Sequence, residues 1–390
     1  MSTLYPSDSG WAMTRPGAAL AAFLRTLPAP PRLLGLGEPT HGVPAFPGWR
    51  NRILRALVEE HGFRSVAIES DAVAALRVNA HVTAGEGTLD EVMASGFSHG
   101  FGALPTNRAL VEWLRAFNAG RDRADGVRFY GFDPPLENMW AASPRASLLA
   151  LHTFLSTHGQ AVPVDAATIK RLCGEDTRWI DEAAALNPAA SLGRTPQARE
   201  LRVLADDLAT LLRRQSPELA ARPGFWEAGL HARTATGLLR YHAVMADPVP
   251  TPERVARMLA LRDLLMADHL AALADHERPR GPALVFAHNS HLQRPRSEMR
   301  MLGETLGWWG AGAHLGLRLG TEYAFVAAHW RSSPPEVAPE RPPATLYAVR
   351  DLEGLIPPEL DGTPQPRHFP LKAAQVPFLD GLLLLDAAPT

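Results

Sequence analysis

The chain has 390 residues, of which 46% are hydrophobic and 21% charged, with a formal charge of −2. That length allows one large domain carrying an insertion, or two domains, and the balance is that of an ordinary globular protein rather than a disordered or membrane chain. Arginines are spread along the chain instead of forming a basic block with interleaved aromatics, which argues against nucleic acid, and no run of about eighteen uncharged apolar residues is present to span a membrane.

The first thirty or so residues lack a basic start followed by an apolar run, and read as a short amphipathic helix before a Pro-rich break, so a cytoplasmic location is expected. "RLLGLGE" (32–38) then reads as a buried strand. In "GWRNRILRALVEEHGF", Ile53, Leu54, Leu57 and Val58 fall at helical spacing and Gly62 closes the helix, and "SVAIES" (65–70) follows as a second strand. A strand–helix–strand unit predicts a parallel, helix-flanked sheet. "TLDEVMASG" predicts a short helix with Leu89, Val92 and Met93 inward, and "VRFYGFD" (127–133) a third strand.

From about residue 144 to 277 the text turns to long Ala/Leu/Arg/Glu-rich helical segments, broken at "NPAASLGRTP", "QSPELAARPG" and "ADPVPTP". Strands return at "ALVFAHN" (283–289), "HLGLRLG" (314–320) and "EYAFVAAHW" (322–330). Pro-rich "RSSPPEVAPERPPATL" (331–346) predicts a loop, and "FLDGLLLLDA" (378–387) a closing strand. The expected fold is α/β: a central, mostly parallel sheet flanked by helices with an inserted helical lobe. Residues 1–143 form the first part of the core, 144–277 the lobe, and 278–390 the second part.

In open parallel sheets ligands bind beyond the carboxyl ends of the strands. Here the four clearest strands end in titratable side chains: Glu38 and His41, Glu69, Asp133, and His288 with His291. Each would otherwise be a costly polar group near the core. Asp133 also suits a helix N-cap. An imidazole can take a proton from water near neutral pH if a carboxylate or carbonyl fixes its tautomer, and Glu38 or Glu69 could do that for His41. His288 and His291, three apart, could form an electrophilic pair or two metal ligands. Arg50 could clamp an anionic group or hold Glu38. No organic cofactor is expected, no metal ligand set is assigned, and a divalent ion stays open as an alternative.

Other features read as structural. "GFSHG" (96–100) matches G-x-S-x-G, yet a helix and not a core strand precedes Ser98, so the nucleophile-elbow context fails. His99, with His61, His81, His231, His242, His269 and His276, reads as a surface or packing histidine. The single Cys173 lies in a polar helical stretch, and Trp49, Trp140, Trp226, Trp308 and Trp309 are candidate walls of a cleft.

"GLGEPTHG", "RILRALVEEHGFRSVAIES", "LPTNRALVEWLRAFNAG", "VRFYGFD", "RDLLMADHL" and "FAHNSHL", in that order and spacing, resemble the erythromycin esterase family across most of residues 33–330. The resemblance implies hydrolysis of a macrolide-like lactone ester on an α/β fold with an inserted helical lobe. It also implies His41 as the general base activating water, with Glu38 and Glu69 as partners. Arg50 would be the arginine on the following helix, and His288 and His291 would line the reaction centre. Where the family reads "HG..EF" this chain has "HGVPAF", with Ala45 in place of the glutamate. The partner expected is a large, mostly apolar small molecule. Two other functions fit the same site: a tailoring enzyme using the base for lactonisation, elimination or rearrangement, and a non-catalytic binder.

Overall fold

The computed structural model describes residues 10–122, 124–137, 140–301, 303–330, 344–349, 352 and 371–385. In chain order the strands are β1 (Trp11–Ala12), β2 (Leu33–Glu38), β3 (Ser65–Asp71), β4 (Arg128–Asp133), β5 (Leu136–Glu137), β6 (Trp140–Ala141), β7 (Ala283–His288), β8 (Ser297–Met301), β9 (Glu304–Trp308), β10 (Tyr323–Trp330), β11 (Ala344–Ala348) and β12 (Gly381–Leu385). The helices are α1 (Pro16–Leu24), α2 (Ala45–Glu60), α3 (Ala75–Ala84), α4 (Leu89–Ser95), α5 (Pro105–Asn118), α6 (Arg145–Thr157), α7 (Ala166–Cys173), α8 (Pro196–Arg214), α9 (Ser216–Leu219), α10 (Phe225–Met245), α11 (Thr251–Glu277), α12 (Asn289–Leu292) and α13 (Ala311–Leu319).

Among the described residues, eight strands make one sheet in the order β1-β11-β12-β10-β2-β7-β3-β4. From β12 to β4 every neighbouring pair is parallel, and β11 closes one side antiparallel to both β12 and β1. The helices α1 to α5 cover one face, where Leu34, Leu36, Val66, Ile68, Leu284 and Phe286 pack against Phe23, Ile53, Leu57, Val78 and Leu110. The alternate residues Leu33, Ala67, Val285 and Phe325 face the other way, onto Met266, Leu270 and Leu273 of α11 and Leu315 of α13. Strands buried on both faces are therefore continuous apolar runs, as a parallel sheet requires.

Local signals explain the helix ends. The first turn of α4 is a capping box in which Thr88 and Glu91 satisfy each other's backbone donors. Pro105 opens α5, where its missing N–H costs nothing. The helix α2 starts at Ala45, earlier than the apolar spacing predicted, and buries Phe46, Trp49, Ile53, Leu54, Leu57 and Val58 along one face.

Between β6 and β7 the chain is helical, and α6, α7, α8 and α10 build a separate core from Leu148, Leu155, Ile169, Leu201, Leu208 and Leu239. The hairpin of β5 and β6 joins it through Leu136 and Ala141, which pack on Leu238, Tyr241 and Met258. The helical insertion thus has its own hydrophobic interior, while the later turns of α11 return to the sheet.

One expectation about an element fails and another fails in its last three residues. "HLGLRLG" is the body of α13 and not a strand. Its Leu alternation suggests a half-buried strand, yet Leu315 is fully buried while Leu317 is 87% exposed. Only the Ala311–Gly312–Leu315 face is apolar in three dimensions. The predicted Pro-rich loop lies mostly outside the described residues, and its last residues, Ala344 to Leu346, belong to β11. The closing strand is present as β12.

Candidate active site

The chain leaves β2 for β3 and β4 on one side, later inserts β7 between β2 and β3, and then places β10 on the other side of β2. The carboxyl ends of β2, β7, β3 and β4 therefore stand side by side, and Glu38, His288, Glu69 and Asp133 are brought to one edge. Glu38 and His288 are direct register partners. Between Ile68 and Asp71 the pairing of β3 with β4 slips. This irregularity spans Glu69 and Ser70, both buried, and re-aims the glutamate, a common use of bulges beside functional sites.

His41 sits on the turn after β2, followed by Gly42 at φ 82°, a left-handed conformation that a Cβ would strain. Its Nδ1 lies 2.8 Å from Glu38 Oε1, and its Nε2 lies 3.6 Å from Glu69 Oε1, beyond hydrogen-bond length. The His41 side chain is 40% exposed, while Glu38 and Glu69 are buried. Its ring meets the edges of Phe101 and His288 at centroid distances of 5.5 and 5.4 Å.

Glu69 is the hub. Its Oε2 accepts the His288 backbone N–H at 2.8 Å, and its Oε1 lies 3.2 Å from both His291 Nε2 and Arg262 Nη2. Behind it, His291 Nδ1 meets Asp263 Oδ1 at 2.8 Å, and Asp263 also accepts from Trp308 Nε1 and the Ala311 backbone N–H, each at 2.8 Å. Arg262 holds Asp133 through Nε at 3.0 Å and Nη2 at 2.6 Å. His99 Nε2 stands 2.8 Å from Asp133 Oδ2, and its Nδ1 stands 3.2 Å from Glu137 Oε2.

These contacts set the protonation states. Burial disfavours charge on His41, but Glu69 and Glu38 outweigh it and raise His41 to about 10. Burial likewise opposes charge on His291, which Asp263 and Glu69 still raise to about 10. Burial would raise Glu69, yet His291 and His41 hold it well below the usual carboxylate range. Glu38 goes the other way, pushed up by burial against the pull of His41. His288 is pushed down to about 3 by burial and by the charges on His41 and His291. It is a neutral imidazole that donates from Nε2 to the Pro39 carbonyl at 3.0 Å and accepts the Ser290 backbone N–H at Nδ1.

A cleft with a cavity volume of about 100 Å³ opens beside this cluster. Its walls are Val43, Pro44, Pro47, Phe101, Leu104 and Phe286, and Glu38, Glu69 and Arg50 reach it as polar groups. Arg50 is buried, with its guanidinium over the Phe286 ring at 5.1 Å and bonded to Asn51 and Asn107; Glu38 acts on it through space.

The structure thus brings Glu38, His41, Glu69, Asp133, His288 and His291 into one cluster, with Arg50 at the cleft. Asp133, expected on the substrate side, is fully buried with its oxygens on Arg262 and His99. The candidate tryptophan walls are elsewhere: Trp49 is in the core, Trp308 is on Asp263, Trp226 packs on Tyr130 and His276, and Trp309 is 55% exposed. Trp140 pairs in the small hairpin. Ser98 is buried and bonded to Ser70 and the Asp71 N–H, as a structural serine. Cys173 is buried, which pushes its thiol up to about 12.

The sequence did not single out Arg262 or Asp263, and its reading of His99 as a surface or packing histidine misses the contacts with Asp133 and Glu137. For Asp263 a signal existed: it stands at the spacing of Met266, Ala267 and Leu270, an acid on the apolar stripe of a helix. His99 had none, since its role follows from the fold. Among the described residues no group of three or more His, Cys, Asp or Glu is placed to hold a metal ion, and no helix is long and apolar enough to cross a membrane.

Fold and site define an α/β protein with an imidazole–carboxylate centre at the carboxyl edge of a parallel sheet. A sequence profile described as erythromycin esterase matches residues 58–333, and the chain belongs to that family. Membership supports an esterase or hydrolase type of function on a small-molecule substrate. Solved structures share the fold at low identity. A Bacillus cereus protein is 17% identical with a TM-score of 0.70, covering 97% of this chain and 94% of that one. A succinoglycan biosynthesis protein is 18% identical with a TM-score of 0.65, covering 94% and 89%. A mutant of erythromycin esterase EreC in its open conformation is 17% identical with a TM-score of 0.65, covering 97% of each chain.

Proposed function

We propose that the protein hydrolyses an ester or lactone by general-base activation of water at His41. The carrying observation is the gap between His41 Nε2 and Glu69 Oε1. With Nδ1–H held by Glu38, His41 in its neutral form, the minority form at neutral pH that grows as pH rises toward 10, presents a lone pair at Nε2, 3.6 Å from a carboxylate oxygen. Two acceptors that close repel each other, and one water donating to both relieves the repulsion while aiming its own lone pair at the cleft. Removal of the proton by Nε2 makes the nucleophile. The resulting imidazolium is the form that Glu38 and Glu69 stabilise, and it returns the proton to the leaving alkoxide.

Arg262 has Nε and Nη2 committed to Asp133 and Glu69, and its other amino group is the donor we assign to the developing oxyanion. His288 and His291 support the site from behind. His288 ties the Pro39 carbonyl of the catalytic turn, and His291 fixes Glu69. Asp133 works through Arg262 and not on the substrate. Arg50, at the cleft, orients the acyl part, and the apolar walls select a largely apolar substrate, with macrolide-like lactones a candidate class. The helical segment 144–277 serves as a lobe over the core formed by 1–143 and 278–390.

The test is mass analysis of macrolides, simpler lactones and aryl esters incubated in ¹⁸O-labelled water with wild type and His41→Ala, with and without chelator. Gain of one labelled oxygen by the wild type alone supports the reading. Conversion without label points to a tailoring reaction, and saturable binding without conversion to a non-catalytic protein.

A further inference from the structure

The catalytic reading leaves His99 unexplained. It is a non-glycine residue among the described ones with positive φ, at 57°, a left-handed region uncommon for non-glycine residues, though His enters it more often than most, and one that carries a cost. The conformation is enforced from all sides. Ser98 before it is fixed to the end of β3, its N–H donating to Ser70 Oγ at 2.9 Å and its Oγ accepting the Asp71 N–H at 2.8 Å. The His99 N–H itself donates to Glu137 Oε1 at 2.6 Å, and Gly100, also left-handed, completes the turn. A loop that needed only to connect α4 to α5 would not hold an imidazole this way.

What the strain achieves is a charge chain. From the cleft inward the groups alternate in sign: Glu38, His41, Glu69, Arg262, Asp133, His99, Glu137. Every carboxylate between the two ends has a cation on either side. Arg262 Nη2 is shared, 2.6 Å from Asp133 and 3.2 Å from Glu69. How strongly Asp133 pulls on that nitrogen decides how much of it is left for Glu69, and His99 supplies the competing cation on Asp133 Oδ2. The His99 and His41 rings also flank the same Phe101, at 5.7 and 5.5 Å.

We propose that His99 is a positioning residue of the hydrolytic site: clamped between Asp133 and Glu137, it shares Asp133 with Arg262 and so keeps Arg262 on Glu69, the carboxylate that faces His41. This rests on the reading of His41 and Glu69 as the reacting pair. The groups facing His99 are Asp133 from β4, Glu137 from β5, Arg262 from α11, and, through space, Glu69 and Asp71 from β3. The carboxylates outnumber the one guanidinium. Burial lowers the His99 affinity for a proton, but Asp133 reverses that and the net shift is upward, in the direction that favours the imidazolium held between Asp133 at 2.8 Å and Glu137 at 3.2 Å.

Glutamine at position 99 can keep one hydrogen bond but carries no charge. Without the imidazolium, Asp133 draws Arg262 toward itself, Glu69 loses part of its compensation, and the site near His41 becomes more negative by one charge. Both effects raise the His41 pKa. A unit charge removed at about 10 Å in a medium of effective dielectric near 20 moves a titration by on the order of one pH unit.

The experiment is NMR titration of histidine side chains in the full-length protein labelled with ¹³C,¹⁵N-histidine, with His41 assigned by loss of its signal in His41→Asn. No substrate is needed, so failure of the hydrolase reading is scored separately, by the labelled-water assay. In His99→Gln the His41 titration moves to higher pH by roughly 0.5 to 1 unit. Glu137→Gln leaves both imidazoles in place; there His99 titrates at lower pH, and the His41 signal shows a second inflection at the pH where His99 titrates, as coupled sites do. A His41 curve unmoved in His99→Gln, or without that inflection in Glu137→Gln should the first variant not fold, overturns the proposal. The His99→Gln shift of His41 is also measured in an Arg262→Gln background, where only the through-space part of the charge loss remains; a shift there as large as in the wild-type background would overturn the route through the guanidinium.

Discussion

Asp263→Asn is the substitution whose consequence the structure defines most sharply. Asp263 is fully buried, and its two oxygens receive three donors: Oδ1 takes His291 Nδ1 and the Ala311 N–H, and Oδ2 takes the Trp308 indole N–H. An asparagine has the same shape but one acceptor oxygen and one amine. With its oxygen in the Oδ1 place, the amine faces the indole N–H, donor against donor. Turned over, it faces two donors instead of one. The milder orientation still loses one hydrogen bond to a charged acceptor, about 1.5–3 kcal/mol, and strands a buried donor at about 1–3 kcal/mol. It also removes the anion that balances the His291 imidazolium, and breaking a buried ion pair from one side costs about 3–5 kcal/mol. These descriptions overlap and are not summed, so the expected loss is about 3–5 kcal/mol. Urea unfolding followed by tryptophan fluorescence at pH 6.5 measures it, provided near-ultraviolet circular dichroism gives the same transition. The His291 signal should titrate at lower pH in the variant. A loss below about 1 kcal/mol with an unmoved His291 would refute the argument that Asp263 anchors the site.

Three further outcomes are expected. In Glu38→Gln, His41 loses a carboxylate that holds it near 10, so its neutral form appears earlier and the rising limb of kcat/KM moves to lower pH, while kcat falls about tenfold or more from loss of tautomer control; a limb that stays put contradicts the assignment. Stability should peak near pH 6.5. Buried His242, His269 and His288, lowered to about 4, 4 and 3, stay neutral in the fold while the unfolded chain takes up protons below about 6.5, so acidification costs up to ~4 kcal/mol per pH unit. His291, raised to about 10, adds stability that is complete below about 6.5 and lost at ~1.4 kcal/mol per unit as pH rises toward 10; urea midpoints at pH 4.5, 6.5 and 9 that do not peak in the middle would count against this. In Gly312→Ala the new Cβ would sit 1.8 Å from the Leu292 carbonyl oxygen, which prises α13 from α12 and shifts His291; the expected cost is about 1–3 kcal/mol, read by urea unfolding, and an unperturbed His291 signal would show that the contact yields elsewhere.

Much of the fold was legible because its signals are local. "LLGLGE", "SVAIES", "VRFYGFD" and "ALVFAH" are strands wherever they lie, since apolar residues buried on both faces need backbone partners on both sides. That they end in Glu38, Glu69, Asp133 and His288 was legible too, and a parallel sheet collects carboxyl ends on one edge by its connectivity. The Leu alternation of "HLGLRLG" misled for the opposite reason: nothing local says that Leu317 faces water, and a helix anchored by its Ala311 N–H on Asp263 tolerates that exposure.

The pairing of side chains inside the site was not in the sequence at all. That Glu69 receives His291 and Arg262 depends on a slip in the β3–β4 register and on α11 crossing the sheet edge, both of which are set by packing across nearly 200 residues of chain. Likewise the protonation of His288 could not be read from its type and place at a strand end, because burial and the neighbouring His41 and His291 push it down to about 3. His99 became part of the cluster only when Asp133 and Glu137 closed around it. Residue type and spacing announce which groups a chain brings to an edge. Which proton each one holds depends on charges and burial that exist only once distant segments have met.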